Sequence, residues 1–133
     1  MRNIMLSAAK NKKIQIGDTD MYYVSFGHGR KPLVILPGLG DGLKTVKGLA
    51  LPLSMKYKEL LDDFKIYSFS RKNYLPEGYT TRDMARDQAE VMKMLGIEHA
   101  HLMGISMGGM VSQYVAIDYP ELVDKLVLAF TTG

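Results

Sequence analysis

The residues most able to do chemistry lie in one glycine-rich run, Gly104-Ile105-Ser106-Met107-Gly108-Gly109. The pattern Gly-x-Ser-x-Gly presents a serine hydroxyl as a nucleophile when a strand turns abruptly into a helix at the serine. Gly104 and Gly108 are required there because a β-carbon at either position would collide with neighbouring backbone. The following helix directs unpaired N–H groups and its positive dipole end at the serine oxygen, where an oxyanion would develop. This run therefore predicts Ser106 as the nucleophile of a hydrolytic site.

Two other interpretations of the glycines stay open, because the motif by itself is a weak signal. Glycines between a strand and a helix also occur where the elements merely pack closely, and Ser106 could be a helix N-cap.

A second glycine-rich turn, Pro37-Gly38-Leu39-Gly40, follows an apolar strand and is expected at the same edge of the sheet as Ser106. It could aim a backbone N–H at the serine. The competing interpretation is a phosphate-binding loop, although the turn lacks both Gly-Lys-Ser/Thr and Gly-x-Gly-x-x-Gly.

Strands and helices alternate along the chain, as the strand–helix junction at Ser106 requires. Strands are predicted over Lys13 to Ile16, Met21 to Phe26, Leu33 to Leu36, Phe64 to Phe69, His101 to Ile105 and Lys125 to Phe130. Helices are predicted in pieces over 43–61 with an interruption at Pro52, from the cap residues Thr80 and Asp83 to a stop at Gly96, and from Ser106 or Met107 to about Tyr119. A polar loop is expected over 70–79. The alternation predicts an α/β fold, with a mostly parallel sheet of about six strands and helices on both faces.

Composition limits the remaining function classes. The chain has 133 residues, enough for one domain, and its 47% hydrophobic and 23% charged residues are ordinary for a soluble protein. Cysteine is absent, which excludes disulfides, zinc–thiolate sites and a cysteine nucleophile. Residues 1–13 form a basic arm with no acid, but its dispersed charges make a weak patch, so neither nucleic acid nor a membrane is expected as a partner. No cofactor or metal is predicted, and a cytoplasmic location is expected because the apolar stretch at the N-terminus is short for a signal peptide.

From about residue 14 the sequence resembles the N-terminal portion of the α/β-hydrolase superfamily, in its esterase-, lactonase- and aminopeptidase-like group. The matching segments are Val34 to Gly40, Ser70 to Lys72, Ala100 to Gly109, and Asp118 to Glu121 before Val127 and Leu128. The resemblance implies that Ser106 is the nucleophile and that the backbone N–H groups of Leu39 and Met107 form the oxyanion hole. Many relatives carry His-Gly where this chain has Pro37-Gly38, which leaves the backbone donor unaffected. The implied substrate is a small acyl or ester compound.

The family's acid and histidine follow the serine in chain order. The sequence stops at Gly133, after what resembles the sixth strand, so both are expected to be missing and the fragment to be inactive alone. The three histidines, His28, His99 and His101, cannot substitute. Each precedes or begins its strand, and five residues place His101 roughly 16 Å from Ser106. A general base must come within about 3 Å of the hydroxyl, directly or through one water.

The apolar strand Leu126 to Phe130 would be left as an open edge, a site where another chain can pair. The sequence therefore supports two hypotheses besides a serine hydrolase. One is a non-catalytic half that associates with itself or with a C-terminal half through this strand. The other is a different reaction on the same fold, such as a lyase or a cofactor-free peroxidase.

Overall fold

The computed structural model describes residues 9–37, 45–72 and 75–129, and in these ranges six strands and three helices build one α/β layer structure. The strands are β1 (Lys10–Ile16), β2 (Thr19–Phe26), β3 (Lys31–Leu36), β4 (Phe64–Lys72), β5 (Ala100–Ile105) and β6 (Val123–Ala129). The helices are α1 (Ala50–Lys56), α2 (Thr81–Met94) and α3 (Met107–Asp118), with short 3-10 turns at Lys58–Leu60 and Pro120–Leu122.

The strands form a single sheet in the order β1-β2-β4-β3-β5-β6. β2 pairs antiparallel with both β1 and β4, whereas β3 pairs parallel with β4 and β5, and β5 pairs parallel with β6. The prediction of a mostly parallel α/β sheet is confirmed. Because β3, β4, β5 and β6 run in the same direction, the chain leaves all four at one edge of the sheet, and both Pro37 and Ser106 lie at that carboxyl edge.

Helices cover both faces of the sheet, as predicted, and each face has its own core. On one face, α2 and α3 pack on the sheet through Ala85, Ala89, Met92, Val111 and Val115, against strand residues that include Val34, Phe69 and Leu102. On the other face, Ala50 of α1 packs with Val24, Phe26, Leu33, Ile35 and Ile66. The side chains of β3 alternate between the two cores, which explains why the sequence of this strand is a continuous apolar run.

The capped helix follows the prediction. The Thr80 side chain accepts a hydrogen bond from the backbone N–H of Asp83, and the Asp83 carboxylate accepts one from the backbone N–H of Thr80. This reciprocal pair is a capping box. Gly96, at φ 70°, ends the helix in the left-handed region that glycine adopts readily.

Several element boundaries differ from the prediction. Pro52 does not interrupt a helix but is the third residue of α1, because the N–H groups of a first turn have no acceptor within the helix. β1 begins at Lys10 rather than Lys13, so part of the predicted basic arm is an edge strand whose lysines face water. β4 extends to Lys72, into the predicted loop, because it pairs with Met21 of β2.

Candidate active site

Ser106 is the single residue that joins β5 to α3. Its backbone lies at φ 54° and ψ −123°, a region that non-glycine residues rarely adopt and that stores strain. The Ser106 N–H donates to the carbonyl of Ala129 in β6 at 3.2 Å, and the Ser106 carbonyl accepts from the N–H of Gly109 at 2.8 Å. These two hydrogen bonds fix the serine backbone from both sides of the junction, so the sharp turn expected from the sequence is present.

The side chain of Ser106 is exposed, and in this it differs from the other serines of the described ranges. Those five are buried: Ser25, Ser54, Ser68, Ser70 and Ser112. The alternative role of Ser106 as a helix N-cap is disfavoured by two observations. Its side chain makes no capping hydrogen bond to α3, and its dihedral angles lie outside the extended region that N-cap residues use.

The two glycines of the motif allow backbones to approach closely. A β-carbon on Gly108 would lie 1.9 Å from the carbonyl oxygen of Leu36, and one on Gly104 would lie 2.5 Å from the Cα of Gly109. Both contacts are far inside van der Waals range and involve backbone that cannot rotate away. The strand–turn–helix unit is thus packed directly against the end of β3, as the sequence argument for these glycines requires.

The N-terminus of α3 gives the site its electrostatic character. The helix has twelve residues and no acidic side chain in its first turn, so its positive dipole end is not neutralised from within that turn. Met107, its first residue, is half-buried at the junction. The other expected oxyanion donor, Leu39, lies outside the described residues. The oxyanion roles of both backbone N–H groups stay predictions.

A small cavity opens beside this junction, with Pro37, Arg71, Met84, Gln88 and Met107 among its lining residues. Its wall is contributed by the ends of β3 and β4 and by the N-terminal parts of α2 and α3, which the sheet order brings together. Sequence reasoning did not identify Arg71 and Gln88 as site residues. Arg71 lies within the family-like segment Ser70 to Lys72, but the resemblance implied no role for it, and Gln88 belongs to no motif.

A charged network holds α2 to the end of β4. The carboxylate of Asp87 is buried, accepts a short hydrogen bond from the Tyr79 hydroxyl and pairs with the ammonium of Lys72 at 3.2 Å. Burial lowers the pKa of Lys72, but its hydrogen bonds with Tyr79 and Asp87 outweigh this and leave the pKa above its usual value. Burial and the contact with Asp87 raise the pKa of Tyr79. Lys72 is therefore a cation that neutralises a buried carboxylate at neutral pH.

The three histidines lie away from Ser106, as the strand directions predict. His28 precedes β3 and its Nε2 lies 2.8 Å from the Asp62 carboxylate. His99 directly precedes β5, and His101 is the second residue of that strand, packed edge-on against the ring of Phe64. Ser106 follows the opposite, carboxyl end of β5. None of these imidazoles can reach the serine hydroxyl.

Comparison with known proteins gives one family and a consistent fold. A family model described as alpha/beta hydrolase fold matches residues 31–131. The chain is 31% identical over 130 residues to a fluoroacetate dehalogenase of a Burkholderia species, covering 93% of this chain and 41% of that protein. It is 29% identical over 126 residues to the serine hydrolase BPHL of Mus musculus, covering 92% of this chain and 43% of that protein. The crystal structure of Cfl2 from Burkholderia cenocepacia superposes with a TM-score of 0.78 at 20% identity, covering 93% and 42% of the two chains.

This chain belongs to the α/β-hydrolase fold family. Its curated relatives include hydrolases, and the chain spans about two fifths of the length of the dehalogenase and of BPHL. In the ranges that the structure describes, no helix combines the length and apolarity of a membrane span. The same ranges contain no cluster of three or more His, Cys, Asp or Glu side chains arranged to hold a metal ion.

Proposed function

We propose that Ser106 is the nucleophile of a serine hydrolase that acts on small acyl or ester substrates. The observation that carries the proposal is the exposed serine at φ 54° on a one-residue junction between β5 and α3. Such a turn holds the hydroxyl above the carboxyl edge of the sheet, where open parallel sheets bind ligands. The similarity to the serine hydrolase BPHL supports this role.

The reaction would proceed through an acyl-enzyme. The Ser106 oxygen attacks the ester carbonyl while its proton passes to a base, and the carbonyl oxygen becomes an oxyanion. The N–H groups of Met107 and Leu39 are proposed to stabilise this oxyanion, supported by the α3 dipole. Collapse of the intermediate expels the alcohol and leaves the acyl group on Ser106. Water then attacks the acyl-enzyme, releases the acid and restores the serine.

The proton acceptor must be a group other than the three histidines of this sequence, since all three lie at the opposite edge of the sheet. We therefore propose that full turnover requires a histidine base and an acid from outside these 133 residues. Without them, the expected activity of the 133-residue chain is slow acylation by activated reagents, since binding and an oxyanion hole alone leave only a residual rate.

Covalent labelling tests the nucleophile directly. The 133-residue chain is incubated with a fluorophosphonate probe, and the adduct is located by peptide mass spectrometry. The expected result is one adduct on Ser106, lost in Ser106→Ala and kept in Ser54→Ala, whose buried serine lies on the opposite face of the sheet. A C-terminal fragment of a related hydrolase, added in trans, is expected to accelerate the labelling. If Ser106 carries no adduct even with that fragment present, the hydrolase proposal fails.

A second candidate function is association with another chain through β6, and the position of β6 at the edge of the sheet and its exposed apolar side chains favour it. β6 ends the sheet and pairs on one side with β5; in the described ranges no strand lies on its other side. Val127 is 52% exposed and Leu128 42% exposed, one on each face of the strand. Phe130, the last residue of the predicted pairing strand, lies outside the described residues. An apolar open edge of this kind pairs readily with a further strand.

Sedimentation velocity at micromolar concentration tests this association. We expect dimers or larger species for the chain alone, and a shift towards monomer in Val127→Lys, because a charge on an edge strand opposes pairing. Ile117→Lys is the matched control, since Ile117 is also exposed and apolar but lies on α3. A strictly monomeric, folded native chain would contradict the proposal.

A further inference from the structure

The backbone of Ser106 is tied to the end of β6. Its N–H donates to the carbonyl of Ala129 at 3.2 Å. Ala129 is the last residue of β6 and pairs with Ile105, the last residue of β5. The hydrogen bond from Gly109 stays within the turn and its own helix, whereas the bond to Ala129 joins the serine to a separate strand.

This attachment matters because the serine backbone is strained. A residue at φ 54° and ψ −123° keeps that conformation only where the surrounding structure holds it. In the described ranges β6 has a neighbouring strand on one side only, and such strands open locally more readily than strands at the centre of a sheet. The firmness with which Ser106 is held therefore depends on how well ordered the end of β6 is.

The outer side of β6, which faces away from β5, offers backbone groups right beside this attachment. In a strand, the N–H and C=O of one residue point to the same neighbour, and those of the next residue point the opposite way. Because Ala129 faces β5, Leu126 and Leu128 direct their N–H and C=O groups to the outer side. A strand that pairs there bonds to Leu128, the residue before Ala129, and so restrains the acceptor of the Ser106 N–H.

A second copy of this chain fits the outer side. A two-fold axis at Val127 pairs the two β6 strands antiparallel and sets Leu126 opposite Leu128 of the other copy. In the same register Lys125 lies opposite Ala129, so apolar residues meet at the centre and no like charges face each other there. The exposed side chains of Val127 and Leu128 gain cover in this arrangement.

We propose that Ala129 is a positioning residue for Ser106, and that pairing of a second copy along the outer side of β6 raises the reactivity of Ser106. The inference rests on the proposed nucleophile and the proposed association, and it goes beyond both by coupling them. The Ala129 carbonyl acts through the Ser106 N–H, by holding the strained turn in the form that presents the hydroxyl.

Labelling kinetics on the 133-residue chain test the coupling. The rate constant for fluorophosphonate labelling of Ser106 is measured from micromolar to near-millimolar chain concentration, with sedimentation velocity on the same samples. Leu128→Pro removes an N–H that faces the outer side, a substitution that edge strands tolerate. Val127→Lys sets two like charges opposite each other at the two-fold axis. Ile117→Lys adds the same charge on α3, away from β6, and is the matched control.

We expect the rate constant of the native chain to rise at least about fivefold as dimers form, the lower end of coupling between distinct sites. Ile117→Lys should show the same rise. Leu128→Pro and Val127→Lys should stay monomeric with a rate constant that does not change with concentration. The concentration dependence of the native chain decides the matter even if one of these variants does not fold.

Amide hydrogen exchange, followed by NMR, separates this role from general stabilisation. The exchange of the Ser106 N–H should slow on association by more than that of the Asp83 N–H, which bonds to the capping hydroxyl of α2. A dimer that merely stabilised the fold would slow both to the same extent.

The failures are distinguishable. Dimers that leave the labelling rate and the Ser106 exchange unchanged overturn the inference alone, and so does a labelling rate that falls on association, since the second copy then covers the site. A native chain that labels at Ser106 but stays monomeric at every concentration removes the association and this inference and leaves the nucleophile. Dimers without any adduct on Ser106 remove the nucleophile, and the coupling with it.

Discussion

Replacing Gly108 by alanine tests the close packing on which the position of Ser106 depends. The new β-carbon would lie 1.9 Å from the Leu36 carbonyl oxygen, against a limit of 3.0 Å that real contacts respect, so α3 must move away from β3 by about 1 Å. Overpacking costs up to about 3 kcal/mol. We expect a cost at this upper end, because neither the β-carbon nor the Leu36 carbonyl can rotate away from the contact. Alanine regains about 1 kcal/mol in helix propensity. The net expectation is a loss of about 2 kcal/mol in the free energy of unfolding.

Urea denaturation followed by circular dichroism measures this loss as a lower midpoint at unchanged slope. Gly78→Ala is the control. Its position has φ +80° and nothing within 4 Å of the new β-carbon, so only backbone strain of about 1 kcal/mol is expected. Fluorophosphonate labelling of Ser106 should slow in Gly108→Ala and stay unchanged in Gly78→Ala. A Gly108→Ala protein as stable as the native chain, with native labelling, would refute the close-packing argument.

Three further predictions concern stability. Thr80→Ala removes the capping box of α2 and should lower the free energy of unfolding by about 1 kcal/mol in urea denaturation; no change would mean that the cap contributes nothing. Lys72→Met strands the buried carboxylate of Asp87 and should cost about 3 kcal/mol, most of it restored by the second change Asp87→Leu; an unrestored double variant would contradict the pairing. Burial, and after it the positive charge of Lys31, lowers the pKa of His101 below 6.5. As the pH falls below 6.5, the unfolded chain therefore binds a proton at His101 more readily than the folded chain does, and the stability of the fold should decrease. His101→Gln should flatten that fall in thermal melts between pH 7 and 5, and an equally steep loss would exclude His101 as its source.

Local signals predicted the elements that local physics controls. Thr80, Asp83 and Gly96 define the two ends of α2 within a few residues of sequence, since caps act on the nearest turn. The same reasoning misjudged Pro52, which the sequence marks as a breaker wherever it stands. Only the actual start of α1 at Ala50 shows that the proline occupies a first turn.

Boundaries that depend on pairing between distant segments escaped prediction. The last residues of β4 are polar and sit before a turn, which is typical of a loop. They form a strand because Lys72 pairs with Met21, a partner about fifty residues away in sequence. Arg71 and Gln88 likewise line one cavity only because the order of the strands and the packing of α2 on the sheet bring them together.

By itself, the sequence determined the strand–helix alternation, the Gly-x-Ser-x-Gly turn and the edge of the sheet at which Ser106 and the histidines lie. These follow from residue types and short spacings, since a turn, a cap and the direction of a strand are local properties. Tertiary structure alone decided that Ser106 lies at positive φ with its side chain exposed while the other described serines are buried. It also identified Leu36 as the backbone that a β-carbon on Gly108 would strike, and it placed Gln88 among the residues that line the cavity beside Ser106. Those facts depend on how separate segments pack in three dimensions, which no single stretch of residues specifies.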